Sequence, residues 1–252
     1  SSVKPDYVLF PELSIPRRWL PSVSRKLKSS GISMIAGVEY ERIPIGTPQK
    51  TYVTNEAYMY LMDDRVGYRE QCVVKQRKGI PAHHEREELR HKFGLELAPL
   101  DLAKCEKRVI NHFGHSFGLL ICSELTDIRF REKFRGNIDS LFILSWNQDL
   151  ESFAALVDSA SLDMHCFVSL VNNRRFGDSR VRVPYKKQWR RDLVRVKGGL
   201  EDYFVTTELD LTELRQFQSH AEPPLGDSAA FKPFPEGFSI SKERKEVPGS
   251  PG

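Results

Sequence analysis

The chain has 252 residues, 40% of them hydrophobic and 29% charged, and 38 Lys and Arg against 34 Asp and Glu give a net charge of +4. This length and composition suit one large globular domain or two small ones, and exclude collagen-like and low-complexity proteins. The slight basic excess tolerates an acidic partner but does not mark a nucleic-acid binder, and the basic pairs Arg174–Arg175, Lys186–Lys187 and Arg190–Arg191 read as a solvated face. No apolar run is long enough to cross a bilayer and the start is not of signal type, so a cytoplasmic location without membrane contact is expected. The four cysteines, 72, 105, 122 and 166, lack CxxC spacing, which argues for free thiols and against a zinc site or disulfide framework.

In chain order, Asp6–Phe10 reads as a buried strand stopping at Pro11, and Pro16–Ser30 as a basic amphipathic helix with Gly31 as its stop signal. Strands follow at Ile32–Val38, Thr51–Met62 and Cys72–Lys78, then a loop at Gly79–Pro81 and an acidic helix start near Glu85. The second half alternates more regularly. Phe117–Cys122 is strand-like, Glu124–Phe134 helical, Ser140–Ser145 strand-like, Asp149–Met164 helical and Phe167–Val171 strand-like. After Gly177, Ser179–Tyr185, Asp192–Lys197 and Tyr203–Leu209 read as strands with no helices between them. This order predicts an α/β protein with a mixed sheet system. Pro, Gly and charge dominate from Ala221 onward, so the chain divides into a folded domain over 1–220 and a poorly packed tail over 221–252.

Three segments set a reactive side chain just after an apolar run, where strands open and ligands gather: Val8–Leu13 (VLFPEL), Val73–Glu85 (VVKQRKGIPAHHE) and Leu119–Glu124 (LLICSE). Taken alone, each is weak. A cysteine ending an apolar strand is usually a small buried hydrophobe, a Pro-Glu after a strand is usually a turn, and Lys75, Arg77 and Lys78 suit an exposed strand. Cys122 differs from Cys72, Cys105 and Cys166 because Ser123 and Glu124 follow it, and a turn there would lift the thiol from the core. His83, His84, His112 and His115 show no metal-ligand spacing, and His83–His84 read as exposed loop residues.

Taken in order, the three segments resemble the carbon–nitrogen hydrolase (nitrilase/amidase) superfamily, with its PE, RK and IC-x-E motifs. Asn137–Asn147 (NIDSLFILSWN), Phe167–Pro184 with its VNNRRFGDSRVRVP, and Thr207–Leu214 (TELDLTEL) also resemble family segments, so the likeness spans about residues 3–216. The resemblance implies an α/β nitrilase-like four-layer αββα sandwich. It implies Cys122 as nucleophile, Glu12 as general base, Lys78 as the cation for the oxyanion and Glu85 as the glutamate that orients the lysine. Lys75 is the alternative to Lys78. Ser123, Trp146, Asn147 and Asn173 would bind substrate, with Asn172 bordering the site, and Trp146 reads equally as a pocket wall or as core packing.

The implied activity is cleavage of a non-peptide carbon–nitrogen bond, in an amide or a nitrile, through a cysteine acyl-enzyme, or acyl transfer by the same residues. Neither metal nor cofactor is required, the partner is a small-molecule amide or nitrile, and a homo-oligomer is expected. Only eleven residues precede Glu12 and the chain opens Ser-Ser, whereas family members carry a strand and a helix before the PE motif. The expectation is therefore a domain whose N-terminal strand and helix are missing, cut from a larger protein. Nitrilase-like domains fused to bacterial antiphage reverse transcriptases are one such arrangement. It supplies the alternative reading, a specialised or regulatory domain that meets nucleic acid only through its fused neighbour.

Overall fold

The protein is described by a computed structural model over residues 4–43, 51–65, 67–99, 107–220, 222–223 and 229–245. Cys105 lies outside these residues. The described chain forms two compact units: the residues up to 99 together with Ile121–Glu124 and Leu144–Trp146, and Lys107–Leu120, Leu125–Ile143 and the residues from Asn147 onward.

The first unit is built on β1 (Tyr7–Ile15), β2 (Ser33–Ile43), β3 (Thr51–Asp63), β4 (Glu70–Arg77) and β5 (Leu95–Leu97), in the order β1-β2-β3-β4 with β5 on β3. A short 3-10 turn leads into α1 (Leu20–Ser29), which joins the parallel pair β1 and β2, while β2, β3 and β4 are antiparallel. Pro21 stands in the first turn of α1, where a missing N–H costs nothing. The helix ends where expected. Gly31 takes φ +67°, and the N–H groups of Gly31 and Ile32 donate to Lys28 O and Leu27 O, satisfying the last carbonyls. Leu20, Val23 and Leu27 form the apolar stripe of α1 and pack on Ile15, Met34, Ala36, Val38, Tyr58 and Tyr60. Strand parity therefore turns Met34, Ala36 and Val38 toward α1 and leaves Ile35 and Gly37 to the other face of β2. α2 (His83–Phe93) follows β4.

The second unit contains a sheet ordered β11-β10-β9-β8-β7-β6: β6 (Ile110–His112), β7 (His115–Ile121), β8 (Ser140–Ser145), β9 (Phe167–Asn172), β10 (Gly177–Arg182) and β11 (Asp192–Lys197). The last residue of β7 and the last two of β8 are counted with the first unit. The helices are α3 (Ile128–Phe134), α4 (Leu150–Asp163), α5 (Leu211–Gln218) and α6 (Lys242–Lys245). β7, β8 and nearly all of β9 are buried, in keeping with the apolar runs at residues 117–121 and 141–144.

Four expectations are corrected. β1 does not stop at Pro11. It resumes at Ile15 because an edge strand tolerates a residue that cannot donate. The helix expected over Glu124–Phe134 divides into a 3-10 turn, Cys122–Thr126, and α3, whose N-cap Asp127 accepts from Arg129 N. Tyr203–Leu209 is not a strand, for the sheet ends at β11 and β-propensity without a neighbour to pair with forms no ladder.

The fourth concerns residues 229–245, which are packed and not a loose tail. Phe231 is buried with Phe167, Val183, Leu214 and Phe217, and bridges Tyr185. Arg244 of α6 is buried on Asp139. Composition hid this because a few aromatic anchors and one ion pair suffice to hold a Pro- and charge-rich strap. Among the described residues, no helix is long and apolar enough to cross a membrane.

Candidate active site

Glu12 is presented by an irregularity in β1. Phe10 pairs with Ala36 and Ile15 with Val38, so Pro11, Glu12, Leu13 and Ser14 stand opposite Gly37 alone. The bulge passes through Leu13 at φ 55° and is tied by Ser14 Oγ donating to Pro11 O at 2.7 Å. Gly37 is what allows it, because a Cβ there would fall within the van der Waals radii of Glu12 Cα and Pro11 O. Gly37→Ala is therefore expected to push Glu12 out of place and slow Cys122 alkylation at neutral pH by about 10²-fold, with the secondary structure kept by circular dichroism.

Lys78 comes one residue after β4 ends, and its N–H donates to Asn55 O at 2.8 Å. Its ammonium reaches Glu12 Oε1 at 2.8 Å and Glu85 Oε2 at 2.7 Å. Lys75, on β4, points elsewhere: its ammonium pairs with Glu56 at 2.8 Å and Glu41 at 3.2 Å, close to the ring of Tyr58. Glu85 lies in the first turn of α2 and accepts from the N-cap Ala82 N–H at 3.2 Å, where the helix's positive end favours a carboxylate. His83 and His84 are exposed on α2 itself, not in a loop.

Cys122 begins the 3-10 turn after β7 with φ 49°, a left-handed conformation that costs a β-carbon residue about 1–2 kcal/mol. The turn is held by Glu124, whose buried carboxylate accepts from Ile121 N at 2.8 Å and from Gly79 N at 2.6 Å. The glutamate thus links the end of β7 to the loop after Lys78. Ser123 Oγ donates to Ile80 O at 2.6 Å and draws in the same loop. At the end of β8, Ser145 Oγ lies 3.5 Å from Cys122 Sγ, and Trp146 N donates to Glu12 Oε2 at 2.9 Å. The Trp146 side chain is 44% exposed, which removes the core-packing reading.

Two residues that sequence reasoning missed complete the cluster. Asn55 of β3 donates from Nδ2 to Glu12 Oε1 at 2.8 Å and to Glu85 Oε1 at 2.9 Å. Tyr40 of β2 donates its hydroxyl proton to Glu85 Oε1 at 2.9 Å. The available signal was an Asn at an inward position between Val53 and Ala57, where a strand core has no other use for an amide.

Asn147 and Asn173 belong to the second unit, where both shape loops. Asn147 N donates to Asn172 Oδ1 at 2.8 Å, Asn172 Nδ2 returns to Asn147 O at 2.9 Å, and Asn173 Oδ1 accepts from Arg175 N at 3.0 Å. Of the other cysteines, Cys72 is exposed on β4 and Cys166 is buried. Among the described residues, no group of three or more His, Cys, Asp or Glu is arranged to hold a metal ion.

The electrostatics follow from burial and from this pairing. Burial pushes the Cys122 thiol up to about 12, and the Glu12 charge adds to it, outweighing the opposing pull of Lys78, Ser145 and the Trp146 N–H. The thiol is therefore protonated at neutral pH. Burial alone would lower Lys78, but the Glu12 and Glu85 charges reverse this and raise it above the ordinary lysine value. Burial likewise opposes ionisation of Glu85, yet Lys78, Asn55 and Tyr40 bring it below the ordinary glutamate value.

No protein-family model matches the sequence, and no curated protein sequence does. Solved structures do match. A carbon–nitrogen hydrolase superfamily protein of Xanthomonas campestris, with an arsenic adduct in its active site, is 15% identical over 85% of this chain and 81% of its own, with a TM-score of 0.56. Nit3 of Saccharomyces cerevisiae, a branch 10 member of the nitrilase superfamily, is 17% identical over 78% of this chain and 74% of its own, with a TM-score of 0.54.

The chain has the nitrilase-superfamily fold. A mutant of the amidase from Nesterenkonia sp. AN1, bearing the acetamide moiety of fluoroacetamide on its active-site cysteine, shares that nitrilase fold at 14% identity over 77% of this chain and 74% of its own, with a TM-score of 0.52. The mixed α/β, nitrilase-like architecture read from the sequence is thereby borne out.

Proposed function

We propose that this chain is a thiol hydrolase that cleaves a non-peptide carbon–nitrogen bond, with an amide as the default substrate and a nitrile as the alternative. The observation that carries the reading is the Lys78 ammonium bonded to both Glu12 and Glu85, which share a compact unit with the Cys122 thiol in its left-handed turn. Two of the three ammonium protons go to those carboxylates, and the third is available for the tetrahedral oxyanion. Glu12 Oε2 accepts from Trp146 N and retains a second lone pair for the thiol proton.

Because the thiol is neutral at rest, its proton passes to Glu12 as sulfur attacks the carbonyl carbon. Glu12 then returns that proton to the departing nitrogen, leaving a thioester on Cys122 and releasing ammonia or an amine. Water attacks the thioester, Glu12 takes its proton, and the acid leaves as the thiol is restored. Glu85 keeps Lys78 charged and in place throughout. A purely regulatory domain explains less, because the buried charges of Glu12 and Lys78 beside a half-buried Glu85 cost stability and a scaffold gains nothing from them.

Cys122→Ala is expected to lower hydrolysis of a panel of small primary amides by roughly 10³-fold or more while leaving the circular dichroism spectrum unchanged. Ammonia release from that variant at near the wild-type rate would sink the proposal.

A further inference from the structure

The two carboxylates of the site share more than Lys78. The Nδ2 of Asn55 donates one hydrogen to Glu12 Oε1 and the other to Glu85 Oε1, so a single amide nitrogen, like the single ammonium, touches both acids. The same residue's carbonyl oxygen accepts from Lys78 N. Asn55 is almost fully buried, and its side-chain oxygen has no partner among the described residues. A buried amide that leaves its oxygen unpaired gives up stability, so its orientation is dictated by what its nitrogen does.

Two carboxylates this close ordinarily share a proton, one taking it up well above the usual range. Around this pair stand Lys78 after β4, Tyr40 on β2 and Cys122 after β7, with Glu88 on α2 adding further negative charge near Tyr40. Lys78 is the only cation bonded to either carboxylate among the described residues, and it meets Glu85 through Oε2, leaving Glu85 Oε1 to Asn55 and Tyr40. The amide makes up the difference: as a donor to both Oε1 atoms, it favours the form in which neither acid holds a proton there.

We propose that Asn55 is a positioning residue whose amide fixes Glu12 and Glu85 as acceptors around Lys78 and so sets the acid limit of Cys122 reactivity. The inference rests on the reading of Glu12 as the base that takes the thiol proton. It assigns a role to β3, from which neither the motifs nor the chemistry required a residue.

The test needs no substrate. The rate of Cys122 alkylation by iodoacetamide is followed from pH 4 to 9 by peptide mass mapping in wild type, Glu12→Gln, Asn55→Leu and the isosteric Asn55→Asp. Circular dichroism and Cys72 alkylation serve as folding and reagent controls. Glu12→Gln is expected to abolish the acid limb, leaving only the slow rise of an unassisted thiol. Asn55→Leu is expected to keep the limb but move its midpoint up by about one unit or more, and Asn55→Asp to move it further, because a third carboxylate competes for the same ammonium.

If Glu12→Gln removes the limb and both Asn55 variants leave its midpoint in place, changing only the overall rate, Asn55 is merely structural and the inference is overturned. If Glu12→Gln itself leaves the profile unchanged, it is the assignment of the base that fails.

Discussion

Lys78→Met is expected to destroy Cys122 reactivity and to cost about 3–5 kcal/mol of stability at neutral pH, because it leaves the buried Glu12 and the half-buried Glu85 without their cation. Methionine keeps the length and apolar stem of the side chain, so the loss is of charge and not of volume.

The pH dependence distinguishes this from a simple packing defect. In wild type, Lys78 is raised above its ordinary 10.5, so its contribution is complete below about that pH and is lost only as pH climbs through the higher folded value. Glu85 is lowered below 4.5, so its contribution is present above that pH and is lost as pH falls through the lower folded value. Between these limits the wild-type pair is indifferent to pH. In Lys78→Met, burial is unopposed and one carboxylate takes up a proton in the folded state. Relative to wild type, the variant should therefore recover stability as pH falls from 8 toward 5, because the destabilising effect of protonating the buried His115 and His165 is common to both. Urea denaturation at the two pH values measures this. A variant within about 1 kcal/mol of wild type at pH 8, with the same pH slope as wild type, would show that the ammonium is not holding the acids together.

Asp139→Ala should be the most damaging change in the second unit. The fully buried carboxylate of Asp139 receives Arg215 at 2.8 and 2.5 Å, Arg244 at 3.1 and 2.8 Å and Ser116 N at 2.8 Å. The contacts tie the start of β8 to β7, α5 and α6, and Arg244 also reaches Gln218 and Gly136 O. The Arg215 hydrogen bond and the Arg244 charge hold Asp139 below the usual carboxylate range although burial opposes it. Without the carboxylate, two guanidinium groups face each other in the core. A loss of about 3–5 kcal/mol is expected, or on the order of 10 °C in melting temperature for a chain of this size. Arg244→Met should cost less, since Arg215 still neutralises Asp139. Calorimetry of the two variants ranks them, and the reverse order would mean that α6 and not Asp139 organises the network.

The sequence by itself determined the mixed α/β class of the fold and singled out the residues proposed to carry the chemistry. Lys78 and Cys122 come directly after β4 and β7, where backbone pairing stops and a side chain is released, whereas Glu12 sits in the bulge within β1 and Glu85 in the first turn of α2. Whether Lys75 or Lys78 meets the carboxylates was beyond the sequence, because it depends on where β4 ends. With a period of two, a strand one residue longer or shorter exchanges which lysine faces which way. The partners of Asn55 and Tyr40 were illegible for a related reason: they lie 30 to 45 residues away, and only the register of β2 on β3 brings the two side chains to Glu85. The strap over 229–245 looked unpacked because its anchors, Phe231 and Arg244, are sparse, and Asp139 lies 105 residues from Arg244. Local pattern is set by neighbours in the chain. Burial of a charge and the pairing that makes it tolerable are set by neighbours in space, and only the tertiary structure decides those.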